Sequence, residues 1–339
     1  MADEVLTLLP NTGSETVTMT VREAVEKKVI ANEALAYFVG TTKQLLVRCG
    51  VDPARLRFRQ HMPDEMAHYA NDCWDAEALL SIGWTEITGV ADRGAWDLTR
   101  HGQFSGTDLS HFVKYDEPRE VEMDKVKANH KVIGPTFKGK AKAVTDAIEA
   151  KTPADIVDGK LTITVDGEEM VLDSDKFNVV RVKEKISGER IIPNVIEPSC
   201  GLDRIFYTVL EHAYSYDEKE DYTVLRLTPE VAPIKVGVFP LMAKDGLDTV
   251  ARDLCEAVHT HRAEAYYDDA GQIGRRYARM DEAGTPWCIT VDYDTLDGDL
   301  KGTVTIRDRD TTEQKRIRMD DAPAIIDDLI TGKRKFSDL

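Results

Sequence analysis

The chain has 339 residues, with 44 Lys and Arg against 61 Asp and Glu, and so a formal charge of −17 at pH 7. Its 42% hydrophobic and 31% charged content fits a globular protein of about two domains and excludes disordered and collagen-like classes. No apolar run reaches the roughly 18 to 20 residues of a membrane span, and the amino terminus lacks the basic-then-apolar order of a signal peptide, so a cytoplasmic address is expected.

The acid excess offers a polyanion no global attraction, so a nucleic-acid partner would depend on local cations, and it fits a saline cytoplasm. Cys49, Cys73, Cys200, Cys255 and Cys288 are far apart and never form a CxxC pair. They read as reduced core thiols rather than a disulfide framework or zinc ribbon.

Residues 20–49 show helical apolar spacing, stopped by Gly50. In RLRFRQH the period changes to two: Arg55, Arg57 and Arg59 alternate with Leu56 and Phe58, a strand with one cationic and one apolar face. The next segment, MPDEMAHYANDCWD, would place Glu65, His68 and Asp72 on one face if helical, and Glu256 with His259 forms a second ExxH pair. A di-iron bundle is rejected, because Leu247, Val250, Ala251, Leu254 and Val258 set the buried stripe of that second helix and leave Glu256 and His259 opposite it. His259 and His261 lack further ligands at metal spacing, so no metal held by protein groups alone is expected.

GWTEITGV, residues 83–90, is a strand candidate with Trp84, Glu86 and Thr88 on one face and Gly83 and Gly89 allowing close approach. A carboxylate beside an aromatic suits a nucleotide or its magnesium, and Arg93 just beyond suits a carboxylate or phosphate. The alternative is a half-exposed strand with ordinary charges. From about 106 to 186 the pattern weakens to a short helix near AKAVTDAIEA, a breaker and the strands LTITV, EMVLD and FNVVRV, which reads as an inserted subdomain.

RIIPNVIEPSCGLDRIFYTVLEHAYS then gives strand, turn and helix, with Leu202, Ile205, Phe206, Val209 and Leu210 as the expected buried stripe. Arg204 falls in the first helical turn, where the helix dipole disfavours a cation, so an anion is expected beside it. Glu197 and Ser199, fixed by Pro198, suit an ammonium group. The alternative pairs Arg204 with Asp203 or Glu197.

After the connector YDEKEDY, with the boundary near 216–232, strands and helices alternate as in a small α/β domain: IKVGVFPL, GLDTVARDLCEAVHTH, EAYYDD, IGRRYARMDEAG, WCITVDY, TVTIRD, QKRIRM and APAIIDDLIT. Arg275, Arg276, Arg279, Arg307 and Arg309 are its cationic clusters. They suit phosphate or bases, or else pairing with Asp281, Glu282 and Asp310. No Walker A, GxGxxG or GxSxG sequence is present.

Together, RFRQHMPDEMAHYANDCWDAE, GWTEITGVADRGAWDLTRH, IIPNVIEPSCGLDRIFYTVLEH, VAPIKVGVFPL and IGRRYARMDEAGTPWCITVDYDT closely resemble glycyl-tRNA synthetases of the archaeal and eukaryotic type, in order, from about residue 17 to the end. The resemblance implies an α+β then α/β chain. Residues 1–225 would be a partial class II antiparallel-sheet catalytic domain, with motif 3 at about 188–214, and residues 231–339 a mixed-sheet anticodon-binding domain. It further implies that Arg204 meets the ATP γ-phosphate and that Glu86 and Ile87 contact ATP, Glu86 through Mg2+. Glu197, Pro198 and Ser199 would bind the glycine ammonium, with Arg93 fixing the substrate. The implied partners are tRNA-Gly, glycine, ATP and Mg2+, in a homodimer or with a separate amino-terminal subunit, and Arg275, Arg276, Arg279 and Arg307 are the candidate tRNA contacts. Motifs 1 and 2 of the class are not in the sequence, so ligation is expected to need an amino-terminal part. The alternative is a non-catalytic tRNA-binding module.

Overall fold

The computed structural model describes residues 1–218, 221–261 and 263–339, so the middle of the YDEKEDY connector, residues 219 and 220, lies outside the described residues. The chain divides into two compact units, residues 1–97 with 194–339, and residues 98–193.

The first unit begins with β1 (Val5–Leu9), β2 (Val17–Thr20), α1 (Val21–Glu26) and α2 (Glu33–Cys49). Thr20 caps α1 through a reciprocal box with Glu23. Asn32 caps α2, and Gly50, at φ +106°, closes it in the left-handed conformation. Three strands follow: β3 (Leu56–Gln60), β4 (Asp72–Leu80) and β5 (Gly83–Gly94). MPDEMAHYAN forms turns rather than a helix, and Asp72 opens β4.

Residues 98–193 form the second unit, entered through α3 (Trp96–Ser105). A ribbon of β6 (His111–Ala128) and β10 (Phe177–Ile191) carries α4 (His130–Phe137), α5 (Ala141–Glu149) and a small sheet of β7 (Ile156–Val157), β8 (Lys160–Val165) and β9 (Glu168–Asp173). Val144, Ile148, Leu161, Ile163 and Phe177 fill its core. The charged stretch before the short helix is thus one long strand, stabilised by pairing along its length with β10.

Back in the first unit, β11 (Val195–Cys200) leads into α6 (Leu202–Ala213), and β12 (Tyr214–Asp217) pairs with β13 (Tyr222–Leu225). Among the described residues, a six-stranded sheet runs β11-β5-β4-β3-β1-β2, antiparallel except where β1 lies parallel to β3. Trp74, Ala76 and Ala78 of β4 face the core with Leu56, Phe58, Ile87 and Val90, covered by Leu35, Val39 and Leu46 of α2. Two buried acids fix that cover. Asp72 accepts from Ala31 N, Trp74 Nε1 and Gln60 Nε2, while Asp92 accepts from Asn32 Nδ2 at 2.7 Å.

The expected α6 stripe is only partly buried. Val209 is in the core and Ile205 packs partly buried against it, but Leu202 and Phe206 are 76% and 67% exposed, because only a narrow face of the helix turns to the sheet. Cys200 is likewise exposed rather than a core thiol, and none of the five cysteines is bonded to another.

The remainder comprises β14 (Val236–Pro240), α7 (Leu247–Thr260), β15 (Ala265–Tyr267), α8 (Ile273–Glu282), β16 (Trp287–Val291), α9 (Tyr293–Leu296), β17 (Thr303–Asp308), β18 (Gln314–Arg318) and α10 (Ala322–Ile330). Its described sheet, in the order β15-β14-β16-β17-β18, is parallel over the first three strands and antiparallel over the last two. Leu247, Ala251, Leu254 and Val258 bury one face of α7, which leaves Glu256 and His259 exposed on the other. No described helix is long and apolar enough to cross a membrane.

Candidate functional site

Alternation along four strands collects polar side chains on the sheet face opposite the core. Arg57 stands opposite Glu77 and Arg59 opposite Asp75, while Cys73 and Asp75 stand opposite Ala91 and Gly89 of β5. Ala91 and Gly89 in turn face Glu197 and Ser199 of β11. Residues two apart share a face, so this register places Arg57, Arg59, Cys73, Asp75, Glu77, Glu86, Arg93, Glu197 and Ser199 on one surface.

One irregularity changes an expectation. The β4–β5 register shifts between Ala76 and Glu77, so Glu77 pairs with Glu86 but Ala76 pairs with Thr88, with Ile87 as the extra residue. Thr88 therefore turns into the core, 1% exposed and with its hydroxyl unpartnered among the described residues, instead of sharing a face with Trp84 and Glu86. The Ile87 side chain is also in the core and its carbonyl accepts from Gly201 N, so it offers a nucleotide no side-chain surface.

Arg93 is held by carboxylates on two sides. It donates to Asp97 at 2.6 and 3.1 Å and to Glu197 at 2.5 Å, and its guanidinium lies 3.8 Å over the Tyr69 ring. Glu197 keeps 43% of its side chain exposed beside exposed Pro198 and Ser199. Arg204 pairs with neither Asp203 nor Glu197. Its Nη1 donates to Glu86 O at 2.9 Å and to Glu86 Oε2 at 3.3 Å, with both side chains about half exposed. The turn that brings them together is tight, since a Cβ on Gly201 would stand 3.2 Å from Ile87 O.

Sequence reading missed the floor of this face. Glu77 accepts from Arg57 at 2.7 Å and from Arg59 at 3.0 Å, and Arg59 also donates to Asp75 and Glu65. Arg57 stacks 4.1 Å over Trp84. The signal was present in the period-two pattern of CWDAE against RFRQH, which becomes readable once the two strands are paired. Burial raises the Asp75 carboxyl, with neighbouring His61 and Arg59 pulling it back. Half-exposed carboxylates next to guanidinium groups suit a zwitterion or a phosphate ester.

The carboxy-terminal arginines divide sharply. Arg276 is 3% exposed and donates to the carbonyls of Pro240, Asp269, Ala270 and Gly271. Arg307 forms a bidentate pair with fully buried Asp281, both contacts at 3.0 Å, and Tyr222 donates to the same carboxylate. These two are internal struts rather than surface cations. Arg279 pairs with Asp268, and Arg275 remains exposed. At the start of the same helix a cleft of about 570 Å³, lined by Leu241, Met242, Gln272 and Arg276 among others, opens at the carboxyl end of β14. There the chain switches from β15 on one side to β16 on the other, the usual crevice of a parallel sheet.

Residues 235–329, which contain this cleft, match the family of the anticodon binding domain. The protein thus joins an anticodon-binding domain to a mainly antiparallel sheet with a charged face. Over 94% of its length the chain is homologous to glycine–tRNA ligases: it is 51% identical to that of Methanothrix thermoacetophila and 44% identical to those of Archaeoglobus fulgidus and Methanocaldococcus jannaschii. It spans 56% to 58% of the length of these relatives.

Proposed function

We propose that the chain acts in the ATP-dependent attachment of glycine to tRNA-Gly, contributing the motif 3 side of a class II catalytic sheet (residues 1–225) and an anticodon-binding domain (residues 231–339). The observation that carries this reading is the convergence of Glu86, Arg93, Glu197, Ser199 and Arg204 on one sheet face and the turn beside it.

Glycine has no side chain to grip, so it must be read through its charged ends. Glu197 and Ser199 accept from the ammonium, and Arg93 holds Glu197 in place against Asp97. The glycine carboxylate attacks the ATP α-phosphate, pyrophosphate leaves, and the terminal ribose hydroxyl of tRNA then takes the acyl group as AMP departs. Arg204 meets the γ-phosphate, exchanging its contact with Glu86 for the phosphate. Glu86, a half-exposed hard oxygen donor, fits Mg2+ that keeps most of its waters, and such an ion would supply neutralisation of phosphate charge. Positioning and charge stabilisation carry such chemistry, and no side-chain nucleophile is needed.

Two surfaces left unpartnered among the described residues support completion by further ligase sequence. β11 is an edge strand, and the adjoining α6 exposes Leu202, Phe206 and Tyr207. We place the missing motif 1 and 2 elements there, whether in the same polypeptide, a dimer or a separate subunit. Arg275 and Arg279, on the same helix as Arg276, which lines the 570 Å³ cleft, are the proposed tRNA contacts. Glycine-dependent ATP–pyrophosphate exchange should appear when the amino-terminal region of a relative is added to this chain. Exchange absent from that complex, with tRNA-Gly still retained, would favour the non-catalytic tRNA-binding module instead, a reading supported by the anticodon-domain match.

A further inference from the structure

We propose that His61, Cys73 and Asp75 form a binding site for a borderline-soft divalent cation of the zinc class. Strand pairing builds the site. His61 N donates to Cys73 O at 3.0 Å, which extends the β3–β4 ladder by one row, and Asp75 follows Cys73 by two residues on the same face. One ligand atom from each residue lies within 4.8 Å of the others. A tetrahedral ion with bonds of roughly 2.0–2.3 Å needs these atoms about 1 Å closer together, which side-chain rotation supplies.

The imidazole already meets the carboxylate, with His61 Nε2 2.8 Å from Asp75 Oδ2. Nε2 is therefore the ring atom that an ion shared with Asp75 would take. The opposing cation is Arg59, which shares Asp75 but is also neutralised by Glu77 and Glu65.

The donor set selects the ion. One imidazole, one thiolate and one carboxylate suit Zn2+ or Co2+ and exclude a hard Mg2+ site. His61 keeps 23% of its side chain exposed, which lets water reach the fourth position. Because Cys73 must lose its proton, binding should weaken as pH falls.

Metal-stripped chain titrated with Co2+ tests this without reference to ligase activity. One equivalent should produce a thiolate-to-cobalt charge-transfer band in the near ultraviolet, displaced by Zn2+. Cys73→Ser should abolish the band, Cys200→Ser should leave it intact, and His61→Gln should weaken binding about tenfold or more. No band, or a band that survives Cys73→Ser, overturns the site. If Cys73→Ser does not fold, His61→Gln decides: unchanged affinity in that variant also overturns it.

Discussion

On the six-stranded sheet, Arg59, Arg93 and Arg204 are all partnered by side-chain carboxylates, and each keeps 20% to 56% of its side chain exposed. In the carboxy-terminal domain, Arg276 and Arg309 are buried and reach backbone carbonyls: Arg276 those of Pro240, Asp269 and Gly271, and Arg309, through Nη1, those of Leu225, Leu227 and Gly284, while its Nε and Nη2 hold Asp310. Where the carboxylate is itself open, as with Glu197 beside Arg93 and Glu86 beside Arg204, the arrangement is exchangeable, since an exposed carboxylate gives up its cation to an incoming anion at little cost. In the second arrangement, removing the arginine strands several buried carbonyls at once. Arginine density in a sequence therefore reports two opposite things, and the burial of the pair tells them apart: Arg307 is a strut although its partner, fully buried Asp281, is a carboxylate.

The largest effect should come from breaking a buried strut. Asp281→Ala leaves Arg307 buried and unpaired and removes the acceptor of Tyr222, so denaturant unfolding should show a loss of about 3–5 kcal/mol. Glu86→Ala on the open sheet should change stability by less than about 0.5 kcal/mol. Equal losses in the two variants would erase the distinction between strut and exchangeable pair. Next in size, Arg204→Ala should lower glycine-dependent pyrophosphate exchange of the completed enzyme by about 10²- to 10³-fold with little change in unfolding midpoint. A matching fall in stability would move Arg204 into the strut class.

Where packing follows a simple period, the sequence was legible. The alternation of Leu56 and Phe58 with Arg57 and Arg59, and the stripe Leu247, Ala251, Leu254 and Val258, hold in the structure because burial on one face dictates both. Thr88 was misplaced because a bulge is a property of two paired strands, and residues 111–128 hid a strand because a ribbon exposed on both faces needs no apolar period. Leu202 and Phe206 look like core residues by helical spacing alone; how much of α6 is covered depends on the sheet beneath. Cys73, Asp75 and Glu77 became visible as part of the charged face only after β3 and β4 were set in register.

A smaller effect separates the two regions by pH. His212 of α6 accepts from Asp52 N at 3.0 Å through Nδ1 and lies 3.2 Å from Leu79 O through Nε2, so the fold uses the neutral ring. Burial accordingly holds its pKa below the usual 6.5. As pH falls below about 6.5 the unfolded chain takes up a proton that the folded one resists, so this contribution to stability is present above that pH and is lost as pH falls through the lowered value. The thermal midpoint of the parent should drop more steeply over that range than that of His212→Gln, and identical slopes would mean the ring charges freely in the fold.

The smallest effect falls on the one candidate tRNA contact that is fully at the surface. Arg275 sits one position before buried Arg276 on α8, and among the described residues its side chain makes no ion pair. Arg275→Ala should leave the unfolding free energy within about 0.5 kcal/mol of the parent. If the residue contacts a phosphate, the same change lowers the slope of log affinity for tRNA-Gly against log salt by about one. The acidic chain sharpens this measurement, because with a net charge of −17 few cations are available to replace the one removed. An unchanged slope would leave the cleft at the carboxyl end of β14 to read RNA through bases and backbone groups rather than through its surface arginine.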